Sequence, residues 1–330
     1  MTERIVLAYT GSLKTSVAIR SLAESVDAEV VTLTLDLGQR CDLEEIRDRA
    51  LATGAARAHV LDVRDEFAHD FVLPALQAGA LHEGRDPMGA ALALPLIARK
   101  LIEMASIEQA TAIAHGCIGV HRERMDCHVR ALDPDIRAIG VGDAAVAQCT
   151  HANLWGRAYR FAKSQDLSPR SQPPAETPDM PAYMEIAFQG GVPVAINGVE
   201  MALTELIESL SIIAGQHGVG RIEEERSNVT GAQIHHVHEA PAAVVLHAAH
   251  AALEASVLPP DLLQLKRGRA TEYARIVSDG LWFTAARGTL DAVNAKVQES
   301  VTGSVSIKLF KKTLLASVAA ELEHATVPRT

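Results

Sequence analysis

Between residue 4 and about residue 141 the chain alternates continuous apolar runs with stretches of helical spacing, and this alternation constrains the fold more than any other feature. The apolar runs are Ile5 to Tyr9, Glu29 to Leu35, Ala58 to Val63, Ala110 to Ala114 and Ile136 to Val141. Their apolar residues follow one another instead of alternating with polar ones. Strands of that kind are covered on both faces, as in a parallel sheet. Helical spacing occupies Thr15 to Glu24, Asp42 to Ala52, Glu66 to Ala78 and Met88 to Met104, and Asp42 followed by Glu45 has the spacing of a capping box. The pattern predicts a doubly wound α/β sheet. Ligands bind such a sheet beyond the carboxyl ends of its strands, here at Thr10 to Ser12, Asp36 to Gln39 and His115 to Gly119.

The first of these loops lies in RIVLAYTGSLKTS, Arg4 to Ser16, where an apolar strand breaks into Gly, Ser and Thr and then enters a helix. A loop so placed points N–H groups and hydroxyls at the positive end of a helix, which makes it a phosphate site. It matches neither GxxxxGK[ST] nor GxGxxG, since both need a second glycine.

The 330 residues suffice for two domains, and a net charge of -10 with pI near 5.8 argues against a nucleic-acid partner. No apolar run approaches the roughly 20 residues that span a bilayer, and a strand begins within a few residues of Met1, so a cytoplasmic protein is expected, without membrane partners. Cys41, Cys117, Cys127 and Cys149 show no CxxC spacing and read as reduced thiols.

Composition shifts at Ser164 to Pro181, where Pro169, Pro173, Pro174, Pro178 and Pro181 mark a linker or an extended surface loop. The expected division is a nucleotide-binding domain over 1–163, the linker over 164–181 and an α+β domain over 182–330. The latter opens with a hairpin turned at Gly190 and Gly191. Helical patterns follow at Met201 to His217, Ala242 to Ser256, Pro260 to Leu281 and Thr289 to Ser300, then a β-rich pair at Ser304 to Lys311 and Leu314 to Ala319. The acidic run Glu223 to Glu225 reads as a solvated turn. His236 and His238 share one face of a probable strand that also carries His235. Zinc favours such a pair, with His121 or Glu239 as a third ligand, but polar strand histidines are the favoured reading and no metal site is expected.

The opening loop resembles the SGGxDS pyrophosphate loop of the N-type ATP pyrophosphatases, with Ser12 at a glycine position and Lys14 at the acidic one. Taken with TLDLGQ at 34–39, EGRDPMG at 83–89, AHG at 114–116, NLWGR at 153–157, GVPVAING at 191–198, HGVGRI at 217–222 and VTGSVSIKL at 301–309, it makes nearly the whole chain resemble argininosuccinate synthase. The resemblance implies a nucleotide-binding domain of the adenine nucleotide alpha hydrolase type and a synthetase domain, usually in a homotetramer. It also implies a reaction in which ATP with Mg²⁺ adenylates citrulline, after which aspartate displaces AMP. It places Ala8, Tyr9, Thr10, Gly11, Ser12, Lys14, Thr15, Ser16, Leu35 and Gly116 at the nucleotide.

The same resemblance places the amino-acid pocket at residues that depart from the family pattern. Ile118 stands for a threonine that binds aspartate, Arg122 for an asparagine, and Asp126 for the arginine that receives citrulline's carboxylate, with Glu123 between the last two. Asp86 and Ala91 stand for a tyrosine and a serine, Arg226 for a glutamate, His238 for a tyrosine, and Cys149 and Ala158 for serines flanking NLWGR. Asp126 and Arg226 either close the former pocket with a salt bridge or are two unrelated surface charges. The chain stops at Thr330 without the family's C-terminal arm, so a dimer or a weakened tetramer is expected. Two functional readings stand. One is a scaffold that has lost the family reaction and serves binding or regulation, with no cofactor. The other is an active ATP-dependent C–N ligase with changed amino-acid-like substrates.

Overall fold

The computed structural model describes residues 3–141, 151–161, 171–173, 176–227 and 233–318. The N-terminal sheet is parallel, in the order β3-β2-β1-β4-β5, from β1 (Glu3–Ala8), β2 (Ala28–Asp36), β3 (Arg57–Asp62), β4 (Ala112–His115) and β5 (Arg137–Gly140). Helices α1 (Leu13–Val26), α2 (Leu43–Thr53), α5 (Gly89–Glu108) and α6 (Val120–Leu132) cover it. Ile5 and Leu7 pack in one apolar cluster with Ile19 and Ile46, while Val6 packs in another with Leu94 and Met125. Consecutive β1 side chains therefore enter separate cores, which is why the run is continuously apolar. Asp42 caps α2 by accepting from the Glu45 N–H at 2.9 Å, which is half of the expected capping box, while the Glu45 carboxylate pairs with Arg49 one turn on.

The helix expected over Glu66 to Ala78 is three pieces, α3 (Arg64–Phe67), a π-turn (Ala68–Val72) and α4 (Leu73–Ala78). Pro74 explains the break. It has no N–H for the carbonyl four residues back, and the wider π-turn accommodates its ring.

The second half contains two sheets. One is antiparallel in the order β10-β9-β8-β13-β14, built from β8 (Ala182–Gln189), β9 (Val192–Ile196), β10 (Val199–Glu200), β13 (Gly303–Phe310) and β14 (Thr313–Val318). Gly190 and Gly191, both at positive φ, make the β8–β9 turn. Helices α7 (Leu203–Gln216), α8 (Pro241–Val257), α9 (Pro260–Ser278) and α10 (Ala285–Gln298) complete this half. A single apolar cluster joins Trp155, Phe71, Phe188, Leu246 and Trp282, so residues from both halves of the chain share one core.

The other sheet has the order β11-β12-β7-β6, from β6 (His151–Asn153), β7 (Gly156–Phe161), β11 (Arg221–Ser227) and β12 (Gln233–Glu239). Glu223 to Glu225 are thus ladder residues of β11 opposite Val237, His236 and His235, and not a turn. Residues 151–161 hydrogen-bond with strands from beyond residue 220, so this sheet reaches across the division expected at residue 163. Ser171, inside the proline-rich stretch, is fully buried and bonded to Glu239.

Candidate functional site

The order 3-2-1-4-5 reverses direction between β1 and β4, and the opening loop and the His115–Gly119 loop leave the sheet side by side at that point. In open α/β sheets the point where the strand order reverses is where the flanking loops leave a crevice for ligands, at the carboxyl ends of the strands. Tyr9 anchors the first loop. Its N–H bonds to the Leu33 carbonyl, its own carbonyl accepts from the Thr34 hydroxyl, and its phenol meets the Ser16 hydroxyl at 2.8 Å. Gly11 turns the chain at φ +72°, and a Cβ there would lie 2.7 Å from Ile46 Cγ1, so both conformation and space require glycine. Ser12 then caps α1, accepting from the Thr15 N–H.

The hydroxyls of Thr10, Ser12 and Thr15 form a mutual cluster, with Thr10 to Ser12 at 3.0 Å and Ser12 to Thr15 at 3.1 Å. Lys14, in the first turn of α1, reaches across the crevice and donates from Nζ to the Gly116 carbonyl at 3.2 Å. From the other side Arg49 of α2 donates to the Gly11 carbonyl at 2.8 Å. The structure therefore brings Tyr9, Thr10, Gly11, Ser12, Lys14, Thr15, Ser16 and Gly116 together. Ala8 ends β1 among them, whereas Leu35 lies in β2 against the neighbouring core. The sequence signal for Arg49 was confined to its helix, and 38 residues separate it from Gly11.

The residues of the implied amino-acid pocket sort into groups. On α6, Asp126 Oδ1 lies 3.4 Å from His115 Nε2, and Asp126 Oδ2 lies 4.0 Å from Arg122 Nε one helical turn away. Arg122 packs its guanidinium against Gly140 of β5, where a Cβ would fall 2.6 Å from Cζ. Burial holds the His115 imidazole below its ordinary pKa, and Asp126 opposes that shift. Ile118 is half-buried in the loop between β4 and α6, and Glu123 is exposed.

Asp86 closes a tight turn, accepting from the Met88 N–H at 2.9 Å, and its Oδ2 lies 3.8 Å from His238 Nδ1 on β12. This pair spans the two halves of the chain. Ala158 stands opposite His238 in the ladder, and Ala91 is buried within α5. The NLWGR word holds the seam together. Asn153 Oδ1 accepts from the Trp155 and Gly156 N–H groups, its amide donates to the Gly89 carbonyl, and Trp155 Nε1 donates to the Pro87 carbonyl.

Cys149 and the side chains of Arg226, His235 and His236 lie outside the described residues, and with them the Asp126–Arg226 contact. Glu239, a candidate zinc ligand by sequence, instead accepts from Arg157, Arg221 and Ser171. Among the described residues no group of three or more His, Cys, Asp or Glu could hold a metal, and no helix is long and apolar enough to cross a membrane.

Two further residues face this region without a sequence signal. Arg124 donates to the Ser278 carbonyl, and burial pulls its guanidinium below the usual pKa against the charges of Asp279, Asp86 and Glu123. His128, one turn on, is fully buried edge-on to Phe283, and neither ring nitrogen has a partner. Burial, followed by the Arg124 charge, pushes its pKa down to about 4. An orphaned buried polar atom costs about 1–3 kcal/mol. His128→Phe, which keeps the edge contact, is expected to stabilise the protein by about 1–2 kcal/mol in urea denaturation at pH 7. A lower midpoint would show that the ring nitrogens are satisfied in solution.

A parallel sheet with a hydroxyl loop at its reversal point, seamed to an antiparallel-sheet domain, is the architecture of a HUP domain joined to a second domain. Residues 4–153 match the family model described as the arginosuccinate synthase N-terminal HUP domain, and residues 151–321 match that of the C-terminal domain. The chain belongs to the argininosuccinate synthase family. It is 40% identical to the argininosuccinate synthase of Symbiobacterium thermophilum, over 94% of this chain and 86% of the relative. It is 39% identical to that of Dictyoglomus turgidum, over 93% and 85%, and 37% identical to that of Streptococcus suis, over 94% and 86%.

Proposed function

We propose that this member of the family keeps the nucleotide-handling end of the scaffold and has lost the ligation of citrulline with aspartate. One observation carries the reading. Asp126, which stands where the resemblance implies an arginine for a substrate carboxylate, is a carboxylate engaged with His115 and Arg122. Across the seam Asp86 adds a second carboxylate beside His238. Citrulline and aspartate arrive as anions at their carboxylates, and a protein carboxylate at the receiving position repels them. The loss of a charge-assisted hydrogen bond costs about 1.5–3 kcal/mol, so two such losses alone remove a factor of roughly 10²–10⁴.

With ATP, Mg²⁺, citrulline and aspartate, AMP release dependent on both amino acids is expected to fall at least about a thousandfold below that of a relative assayed alongside. Comparable release from this protein would sink the proposal.

A second reading, an active ATP-dependent C–N ligase with changed substrates, is favoured by the loop itself. Its hydroxyl cluster and glycine turn are intact, and adenylation needs chiefly a held polyphosphate and an aligned acceptor. Pyrophosphate release in a screen of carboxylates, amides and amines would move the assignment there.

A further inference from the structure

The family uses ATP with Mg²⁺. Magnesium at a nucleotide site is held by one or two carboxylates together with phosphate oxygens. The residues around this loop do not fit it. Among the described residues no carboxylate pairs or hydrogen-bonds with any side chain of residues 10–16, and the first turn of α1 contains no acidic residue. The carboxylates at this edge are engaged elsewhere: Glu45 by Arg49, Asp36 by the Gly38 N–H and Arg64, and Asp126 by His115 and Arg122.

The loop instead concentrates positive charge. The amino end of α1 carries the helix dipole's positive pole, and a lysine in a first turn is unfavourable there unless an anion compensates it. Lys14 occupies such a position, its ammonium held over the crevice by the Gly116 carbonyl at 3.2 Å. On the opposite side Arg49, its charge paired with Glu45, fixes the Gly11 carbonyl, which leaves the Lys14 ammonium as the cation of this loop that pairs with no carboxylate among the described residues. An ammonium also needs no dehydration of a metal's water shell to meet phosphate.

We infer that Lys14 takes the place of the metal ion, so that this loop binds pyrophosphate and the nucleotide polyphosphate chain without Mg²⁺. The inference rests on the proposal that the nucleotide end of the scaffold is kept, and it adds the cation that serves it.

Calorimetry on the full chain with inorganic pyrophosphate, at matched ionic strength, with Mg²⁺ or with EDTA, tests it. Pyrophosphate is expected to bind with affinities within about threefold in the two buffers, and Lys14→Ala to weaken binding roughly 10- to 100-fold in both. Lys14→Asp should bind only when Mg²⁺ is present, a reversal that a merely misfolded variant would not show. Binding by the unaltered protein that requires Mg²⁺ would overturn the inference while leaving a nucleotide loop. Absence of binding in both buffers would remove the nucleotide reading beneath it as well.

Discussion

Stability is expected to fall steeply as pH drops from 6.5 toward 4, because His128, His247 and His250 are buried in neutral form and His115 adds to them in the same direction. Burial, reinforced by the neighbouring His250 and Lys266, pushes His247 down to about 3. His250 is pushed down to about 4 by burial against the opposing pull of Glu254, and His128 to about 4. All three rings are at most 9% exposed. In the unfolded chain each takes up its proton near pH 6.5. The stabilisation is therefore fully present above pH 6.5 and is lost as pH falls through the interval down to the folded values. Each histidine contributes a slope of about 1.4 kcal/mol per pH unit, so the three together give about 4 kcal/mol per unit over the steepest part. Urea midpoints measured from pH 7.5 to 4.5 check this, and His128→Phe should flatten the slope by about 1.4 kcal/mol per pH unit. A profile that stays level between pH 6.5 and 5 would contradict the burial of these rings.

Glu239→Ala is expected to destabilise the protein by about 3–5 kcal/mol, the cost of removing one partner from a buried ionic cluster. Glu239 is completely buried at the end of β12, with Arg157 of β7 directly opposite on one side and Arg221 of β11 on the other. Its Oε2 accepts from Arg157 Nε at 2.5 Å, and Oε1 accepts from Arg221 at 3.3 Å and from the Ser171 hydroxyl at 2.7 Å. Three strands and the segment at Ser171 converge on one carboxylate. Its loss takes the shared buried carboxylate from two guanidinium groups that are only 14% and 23% exposed, of which Arg221 keeps the exposed Glu223. For a chain of this length the change lowers the melting temperature by about 6 °C. Glu239→Gln retains an acceptor and should lose clearly less. Equal melting temperatures for Glu239→Ala and the unaltered protein would show that the arginines find water at no cost.

The N-terminal half was legible because its information is local. Ile5 to Tyr9 reads as a strand buried on both faces, and the structure pairs Glu3–Ala8 with strands on either side. Asp42 and Glu45 announced a capped helix three residues apart, and that cap forms. Glu223 to Glu225 misled because consecutive charges favour a turn in isolation. Their strand state comes from pairing with Gln233–Glu239, and β12 is paired in turn by Gly156–Phe161, some 80 residues away in sequence. Pro74 could have flagged the break in its helix, although the π-turn that absorbs it depends on the surrounding core.

The candidate site divides along the same line. The loop chemistry of Thr10, Gly11, Ser12 and Thr15 was readable from consecutive residues, since a strand, a glycine turn and an N-cap are neighbours in the chain. That Lys14 spans to Gly116, that Arg49 holds Gly11, that Asp126 turns to His115 and that Asp86 meets His238 could not be read there. By itself the sequence determined most strands and helices of the N-terminal half, the parallel class of its sheet and the residue types available at its carboxyl edge, because periodicity and turn chemistry act over a few residues; α6, β6, β7 and β11 were not read from it. Only the tertiary structure decided which charges face one another. Such contacts join residues from 11 to more than a hundred positions apart, and their energy exists only after the sheets have paired and the cores have closed.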